Sequence, residues 1–285
     1  MAEIIQKDGT WIFDGDALRL IPGRDKSVGL LRATLGELVV PVEALAGISF
    51  EQGRRAGRLR LRLRDGADPL LLATGGRLTE PHDPYQLVGE PDRHGVAEYV
   101  VDEVRNVLLL DEVPAGPVDR YLLPGPSLPL SFSAGDGTAA FDGERVRLEW
   151  NWKTEEAKAA GGPRTIPVTD VRAVEWQPAA GLENGHLRFV VRNGSATTPP
   201  KYDPHAVELW GFKKDPLMAL VGAAVQARIP HPAAPAPAEP IPRQADAEDH
   251  DVLLRRLREL GDLHRTGVLT DEEFTAAKQA VLKRL

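Results

Sequence analysis

The sequence predicts a mainly β protein with helices, built from one domain used twice and followed by a C-terminal two-helix hairpin. Three observations carry this. Asp8-Gly9-Thr10-Trp11-Ile12-Phe13-Asp14-Gly15 returns as Asp136-Gly137-Thr138-Ala139-Ala140-Phe141-Asp142-Gly143, displaced by 128 positions (136 against 8). Within each copy, short aliphatic runs alternate with polar residues and break at Asp-Gly and Pro-Gly pairs, as antiparallel strands joined by tight turns do. Near the end of each copy the apolar spacing changes to that of a helix. A repeat of this length matches one domain. The organisation is therefore a first copy over 3–110, a connector over 111–126, a second copy over 127–230, a Pro/Ala-rich linker over 231–247 and a hairpin over 248–285.

In the first copy, Asp14-Gly15 separates Trp11-Ile12-Phe13 from Ala17-Leu18-Arg19-Leu20 and supplies the positive φ of a hairpin turn. The repeated Asp-Gly motif thus reads as a turn rather than a site. Leu38-Val39-Val40, Gly47-Ile48-Ser49-Phe50 and Leu70-Leu71-Leu72 read as strands. The clearest strand is Arg58 to Arg64, where strict alternation sets Leu59, Leu61 and Leu63 against four arginines. That arginine stripe suits phosphate or another anion, but equally suits a solvated sheet face whose stems cover apolar surface. The solvated face is favoured. Val96, Tyr99, Val100, Val104, Val107 and Leu108 then fall at helical spacing and close the copy.

The second copy repeats the register. Leu59, Leu61 and Leu63 become Leu187, Phe189 and Val191, whereas the outward arginines become His186, Arg188, Val190 and Arg192. The inward face is kept and the basic stripe is diluted. Asp83-Pro84-Tyr85 returns as Asp203-Pro204-His205, and the closing helix as Leu217 to Val225, with Asp215 expected as its N-cap and Pro216 at the first helical position. Trp150-Asn151-Trp152-Lys153 leads into a polar loop containing Lys158. It reads either as a recognition loop or as a strand end with one core Trp and one exposed Trp. Trp210-Gly211-Phe212-Lys213-Lys214 is a second possible surface anchor, or a plug over the sheet.

About seven strands followed by one amphipathic helix is the outline of a pleckstrin-homology-like (PH-like) domain, and the tandem Asp-Gly-Thr…Phe-Asp-Gly copies resemble an uncharacterised bacterial family with that fold. The resemblance implies two PH-like domains, each of orthogonal antiparallel sheets capped by one C-terminal helix. It implies a binding or scaffolding role and carries no catalytic residue across.

After the Pro/Ala spacer, Leu253, Leu254, Leu257, Leu260 and Leu263 make one helix face that stops at Thr266-Gly267, where Gly suits a left-handed C-cap. Thr270-Asp271-Glu272-Glu273 has capping-box spacing, with Leu269 and Phe274 as a hydrophobic staple. Through Leu257, Leu260, Gly267, Leu269-Thr270, Glu273-Phe274, Lys278 and Leu282 this tail resembles the short C-terminal SHOCT domain. Two helices this short bury too little to stand alone. The resemblance implies self-association or partner docking through Leu253, Leu257, Leu260, Leu269, Phe274, Val281 and Leu282.

Composition narrows the function. With Cys 0 there is no disulfide framework or thiolate chemistry, and a net charge of -7 opposes broad attachment to nucleic acid. No apolar run is long enough to span a membrane, and the N-terminal segment does not read as a secretion signal, so a cytoplasmic protein is expected. No nucleotide loop, nucleophile elbow or zinc-protease helix is found, and the seven histidines are scattered. The expectation is a non-enzymatic interaction or scaffolding protein without metal or cofactor, whose partner is itself or another protein. The alternative is a ligand or anionic-membrane sensor using the loops at Arg24, Lys26, Trp152, Lys153 and Lys158. Peripheral membrane contact is the less favoured of the two.

Overall fold

A computed structural model of the chain describes residues 1–192, 198–234 and 245–282, with backbone alone at 245–254 and 282. The chain divides into two compact units, Met1–Ala234 and Pro235–Leu285. The first unit holds both copies.

The first copy opens with a four-stranded antiparallel sheet of β1 (Ala2–Ile5), β2 (Gly9–Phe13), β3 (Ala17–Pro22) and β4 (Leu38–Pro41), with helix α1 (Leu30–Leu35) between the last two. A second sheet pairs β5 (Leu45–Glu51), β6 (Gly57–Leu63) and β7 (Gln86–Gly89). Helix α2 (Pro69–Thr74) lies between β6 and β7, and helix α3 (His94–Leu110) closes the copy. Alternation decides β6 as expected: Leu59, Leu61 and Leu63 are buried and the arginines between them are exposed. Helix α3 buries Ala97, Val100, Val101 and Val104 and exposes its charged side.

The second copy repeats the plan. Its sheets are β8 (Leu130–Ala134), β9 (Gly137–Phe141), β10 (Arg145–Trp150) and β11 (Arg164–Pro167), then β12 (Val171–Gln177), β13 (Gly185–Val191) and β14 (Ala206–Leu209). Helix α4 (Glu156–Ala159) precedes β11 and helix α5 (Met218–Gln226) closes the copy. Even an irregularity is duplicated: β5 slips register against β6 between Leu45 and Gly47, and β12 against β13 between Val171 and Ala173.

Two local expectations are corrected. Leu70-Leu71-Leu72 is helix, not strand, because Asp68 caps it: its Oδ1 accepts from the Leu70 N–H at 3.0 Å and its Oδ2 from the Leu71 N–H at 2.9 Å, with Pro69 at the first helical position. Gly75 ends the helix in the left-handed region at φ 57°. Asp215, in contrast, does not cap α5. It turns back to the preceding loop, and a single 3-10 turn over Asp215–Leu217 leads into the helix.

Helices α2 and α5 join the copies. All nine residues of α5 are buried, whereas α3 buries only one face. A helix buried all round needs cover on both sides. One side of α5 lies on β12 and the sheet of β8 and β9; the other is covered by α2 of the first copy. Leu31, Leu70, Ala73 and Leu78 accordingly belong to the second copy's hydrophobic core. Gly222 lets α5 sit close on its own sheet, since a Cβ there would stand 3.1 Å from Leu187 Cδ1 of β13 and 3.2 Å from Val174 Cγ1 of β12. Further ties run from the connector: Leu122 N–H donates to Ala67 O, and Gln226 Nε2 to Tyr121 Oη at 2.8 Å.

The second unit contains α6 (Ala245–Arg265) and α7 (Asp271–Leu282). Gly267 takes the left-handed conformation at φ 76°. The capping box forms: Glu273 Oε2 accepts from the Thr270 N–H at 3.0 Å, and Thr270 Oγ1 from the Glu273 N–H at 3.4 Å. His264 stacks on Phe274, centroids 4.6 Å apart, and its Nε2 lies 2.6 Å from Asp271 Oδ1. No helix among the described residues is long and apolar enough to cross a membrane.

Candidate functional site

Each copy has an inward-facing carboxylate at the start of its second strand, Asp8 partly buried and Asp136 buried. Asp8 Oδ2 accepts from the Val88 N–H at 3.0 Å, tying the first sheet to β7, while its Oδ1 pairs with Arg32 at 2.8 Å. Asp136 repeats this, accepting from the Glu208 N–H at 2.8 Å and pairing with Lys158 at 2.6 Å. The Asp-Gly motif is therefore more than a turn: its first aspartate pins one sheet to the other. Burial pushes the Asp136 carboxyl up and the Lys158 ammonium down, and their mutual attraction opposes both displacements. The structure therefore places the Lys158 side chain beneath the loop rather than on its surface. Its side chain is buried against Asp136, and its Nζ also donates to Pro200 O at 3.1 Å.

This anchor fixes the loop after β10. Trp150 Nε1 donates to Gly162 O at 2.9 Å, the Lys158 ammonium lies 4.4 Å from the Trp150 ring, and Thr154 Oγ1 donates to Asp136 O. Asn151 Nδ2 donates to Gly135 O while its Oδ1 accepts from the Lys153 N–H. Held at both ends, the loop displays Trp152, which is 87% exposed.

The loop after β14 converges on the same place. The Asp215 carboxylate is buried, and its Oδ2 accepts from three successive N–H groups, those of Trp210, Gly211 and Phe212, at 2.8, 2.7 and 3.0 Å. Such a nest sets the path of three residues with one oxygen. Trp210 and Phe212 then meet edge to face, centroids 6.0 Å apart. Lys153 Nζ lies 5.3 Å from the Trp152 ring, 5.2 Å from Trp210 and 5.4 Å from Phe212. Phe212 is 56% exposed. The turn between β12 and β13 runs alongside, a Cβ on Gly211 standing 3.5 Å from Ala179 Cβ, and it carries the fully exposed Leu182. Lys213 and Lys214 are also exposed.

The sequence marked Trp152-Lys153 and Trp210 to Lys214 as separate anchors; the fold brings them together as one aromatic and cationic face. Sequence reasoning missed Leu182, a lone leucine among turn residues, and the positioning role of Asp215. The matching end of the first copy has no such face. Arg24 and Lys26 are exposed there, Asp25 accepts from Ser27, and Lys7 pairs with Glu90 at 2.6 Å. Register places Arg24 where the second copy has Trp152, and Glu90 where it has Trp210.

A family model described as a domain of unknown function, DUF4429, matches residues 11–105 and again 139–226. The chain belongs to this family. The matches run from β2 into α3 and from β9 to the end of α5, so the family's unit is the single copy and this member carries it in tandem. No curated protein matches the chain.

In the tail, Leu257, Leu260, Leu269, Phe274 and Val281 are all partly exposed, and none of the described tail side chains is buried. The side chains of Leu253 and Leu282 lie outside the described residues, as does the spacer over 235–244.

Proposed function

We propose that this chain is a non-enzymatic interaction protein: a two-domain body that presents a binding face on its second copy, and a SHOCT-type helical hairpin that links it to another chain or to a partner. The carrying observation is the aromatic face. Trp152 and Phe212 stand in solvent on loops held by buried Asp136 and Asp215, with exposed Leu182 on the neighbouring turn, and aromatic anchors on fixed scaffolds contribute strongly at protein interfaces. The hairpin's described side chains, none of them buried, supply the second reason: its apolar side gains stability only by meeting another surface.

Light scattering on the full chain and on residues 1–234 tests the assembly role. A larger mass for the full chain is expected, and equal monomer masses would remove that role. The face is tested by comparing what immobilised full-length chain and its Trp152→Ala/Phe212→Ala variant retain from a lysate of the producing organism. The variant is expected to lose the retained material; unchanged retention would count against the face.

A further inference from the structure

We infer that the ring cluster Trp152, Trp210 and Phe212 is a binding site for a methylated ammonium group, occupied in the resting chain by the protein's own Lys153. This deepens the proposed binding face and rests on it. One ammonium nitrogen stands 5.2 to 5.4 Å from three separate ring centroids. Cations are attracted to aromatic faces within about 6 Å, and several rings around one point is how quaternary ammonium groups are recognised. No carboxylate among the described residues pairs with Lys153, so its ammonium is held there by the rings alone.

Size favours a methylated ligand over the lysine that now fills the place. A bare ammonium is compact and strongly hydrated, and here it stands well off every ring. A trimethylammonium group is larger, is poorly hydrated, and fills that stand-off with methyl groups packed on the rings. The rings are held in readiness: the Asp215 nest fixes the backbone of Trp210 and Phe212, and the Asn151 and Asp136–Lys158 contacts fix the loop of Trp152. Lys153 itself is exposed, on a flexible stem, and free to swing into solvent when displaced. The first copy lacks the feature, with Arg24, Asp25 and Glu90 at the corresponding register positions.

Two sources share this chemistry, a trimethyl-lysine side chain on a protein and the choline headgroup of a lipid. The test follows Trp fluorescence of the full-length chain titrated with choline chloride at constant ionic strength, beside the uncharged isostere 3,3-dimethyl-1-butanol. Saturable binding of choline is expected. Lys153→Ala, which removes the internal competitor, is expected to bind about two- to five-fold more tightly than wild type. Trp152→Ala, a change at an exposed position that leaves the fold intact, is expected to weaken binding. A trimethyl-lysine peptide and phosphatidylcholine vesicles, run as parallel arms, identify the source by which one binds in a Trp152-dependent way. The inference is overturned if neither wild type nor Lys153→Ala shows saturable binding, or if the uncharged isostere binds as well as choline. Should that happen while Trp152→Ala/Phe212→Ala still loses the material retained from lysate, the binding face survives and only the ligand class falls. Should both responses be absent, the face falls with it.

Discussion

The two copies share a strand plan, a duplicated register slip and an inward-facing aspartate that pins sheet to sheet, yet they differ where the shared frame meets solvent. In the first copy Asp8 holds Arg32, and the rim above it is closed with charges such as Lys7 and Glu90. In the second, Asp136 holds Lys158, and the rim carries Trp152, Phe212 and Leu182. A second contrast lies on the equivalent strands β6 and β13, each central in its own sheet. Arg188 is buried and pairs with Asp203 at 2.9 Å, while its counterpart Arg60 is exposed and lines an open groove of about 540 Å³ with Arg62, Asp83 and Gln86. The aspartate that pins sheet to sheet is kept in both copies, whereas the rim and the surroundings of Arg60 and Arg188 diverge.

The strongest way to break the comparison is to unlink the copies. Leu70 on α2 is 3% exposed within the second copy's core, so Leu70→Ala is expected to cost about 2–5 kcal/mol and to split calorimetric unfolding into two transitions. A single transition at the wild-type temperature would show that the copies are not joined there.

The next test sets equivalent aspartates against each other. Burial is the largest influence on Asp203 and pushes its carboxyl up, but His205 and Arg188 together bring it below the ordinary 3.8. At Asp83 burial is again the largest influence, and the pull of the Tyr85 N–H, Gln86, Arg32 and Arg60 does not overcome it, so its carboxyl stays raised. The signs are opposite. Stability from Asp203 is present above pH 3.8 and lost as pH falls through its lowered value; the contribution of Asp83 is present below pH 3.8 and lost as pH rises through its raised value. At pH 7, Asp203→Asn is expected to cost about 2–3 kcal/mol by removing the carboxylate that lies closest to the buried Arg188 guanidinium, at 2.9 Å. Asp83→Asn is expected to cost less than about 1 kcal/mol or to stabilise, since the amide keeps an acceptor and removes a disfavoured charge. Urea unfolding of both variants decides; equal costs would deny the contrast.

The smallest expected effect lies in the tail. Thr270→Ala removes one half of the capping box and should lower amide protection over the first turn of α7, with the rest of the chain unchanged. The Glu273 carboxyl is held below its ordinary 4.5 by the Thr270 N–H and hydroxyl, so the same protection is present above that value and fades as pH falls through the lowered one. Protection that is identical in the variant would exclude the cap.

Local signals were readable from the residues alone. Alternation over Arg58 to Arg64, the turn at Asp14-Gly15 and the Thr270 to Glu273 box each depend on neighbours a few positions away. Three leucines in a row carry no period, which is why Leu70 to Leu72 reads as strand until the Asp68-Pro69 cap is given its weight. The burial of α5 had a signal in its uncharged sequence, but the identity of its cover did not. Asp136 meets Glu208 across 72 residues and Asp8 meets Val88 across 80, separations at which no local pattern speaks. For the same reason Lys158 reads as a solvated loop lysine, and the convergence of Trp152 with Trp210 and Phe212 depends on strand pairing that only the fold supplies.

The claim that the second copy carries the binding face is tested most directly by three full-length chains side by side: wild type, Arg24→Ala/Lys26→Ala and Trp152→Ala/Phe212→Ala. The quantity to measure is the protein and lipid each retains from the same lysate. Loss confined to the Trp152 and Phe212 variant is the expected result, whereas loss confined to the Arg24 and Lys26 variant would place the working surface on the other copy and contradict the account.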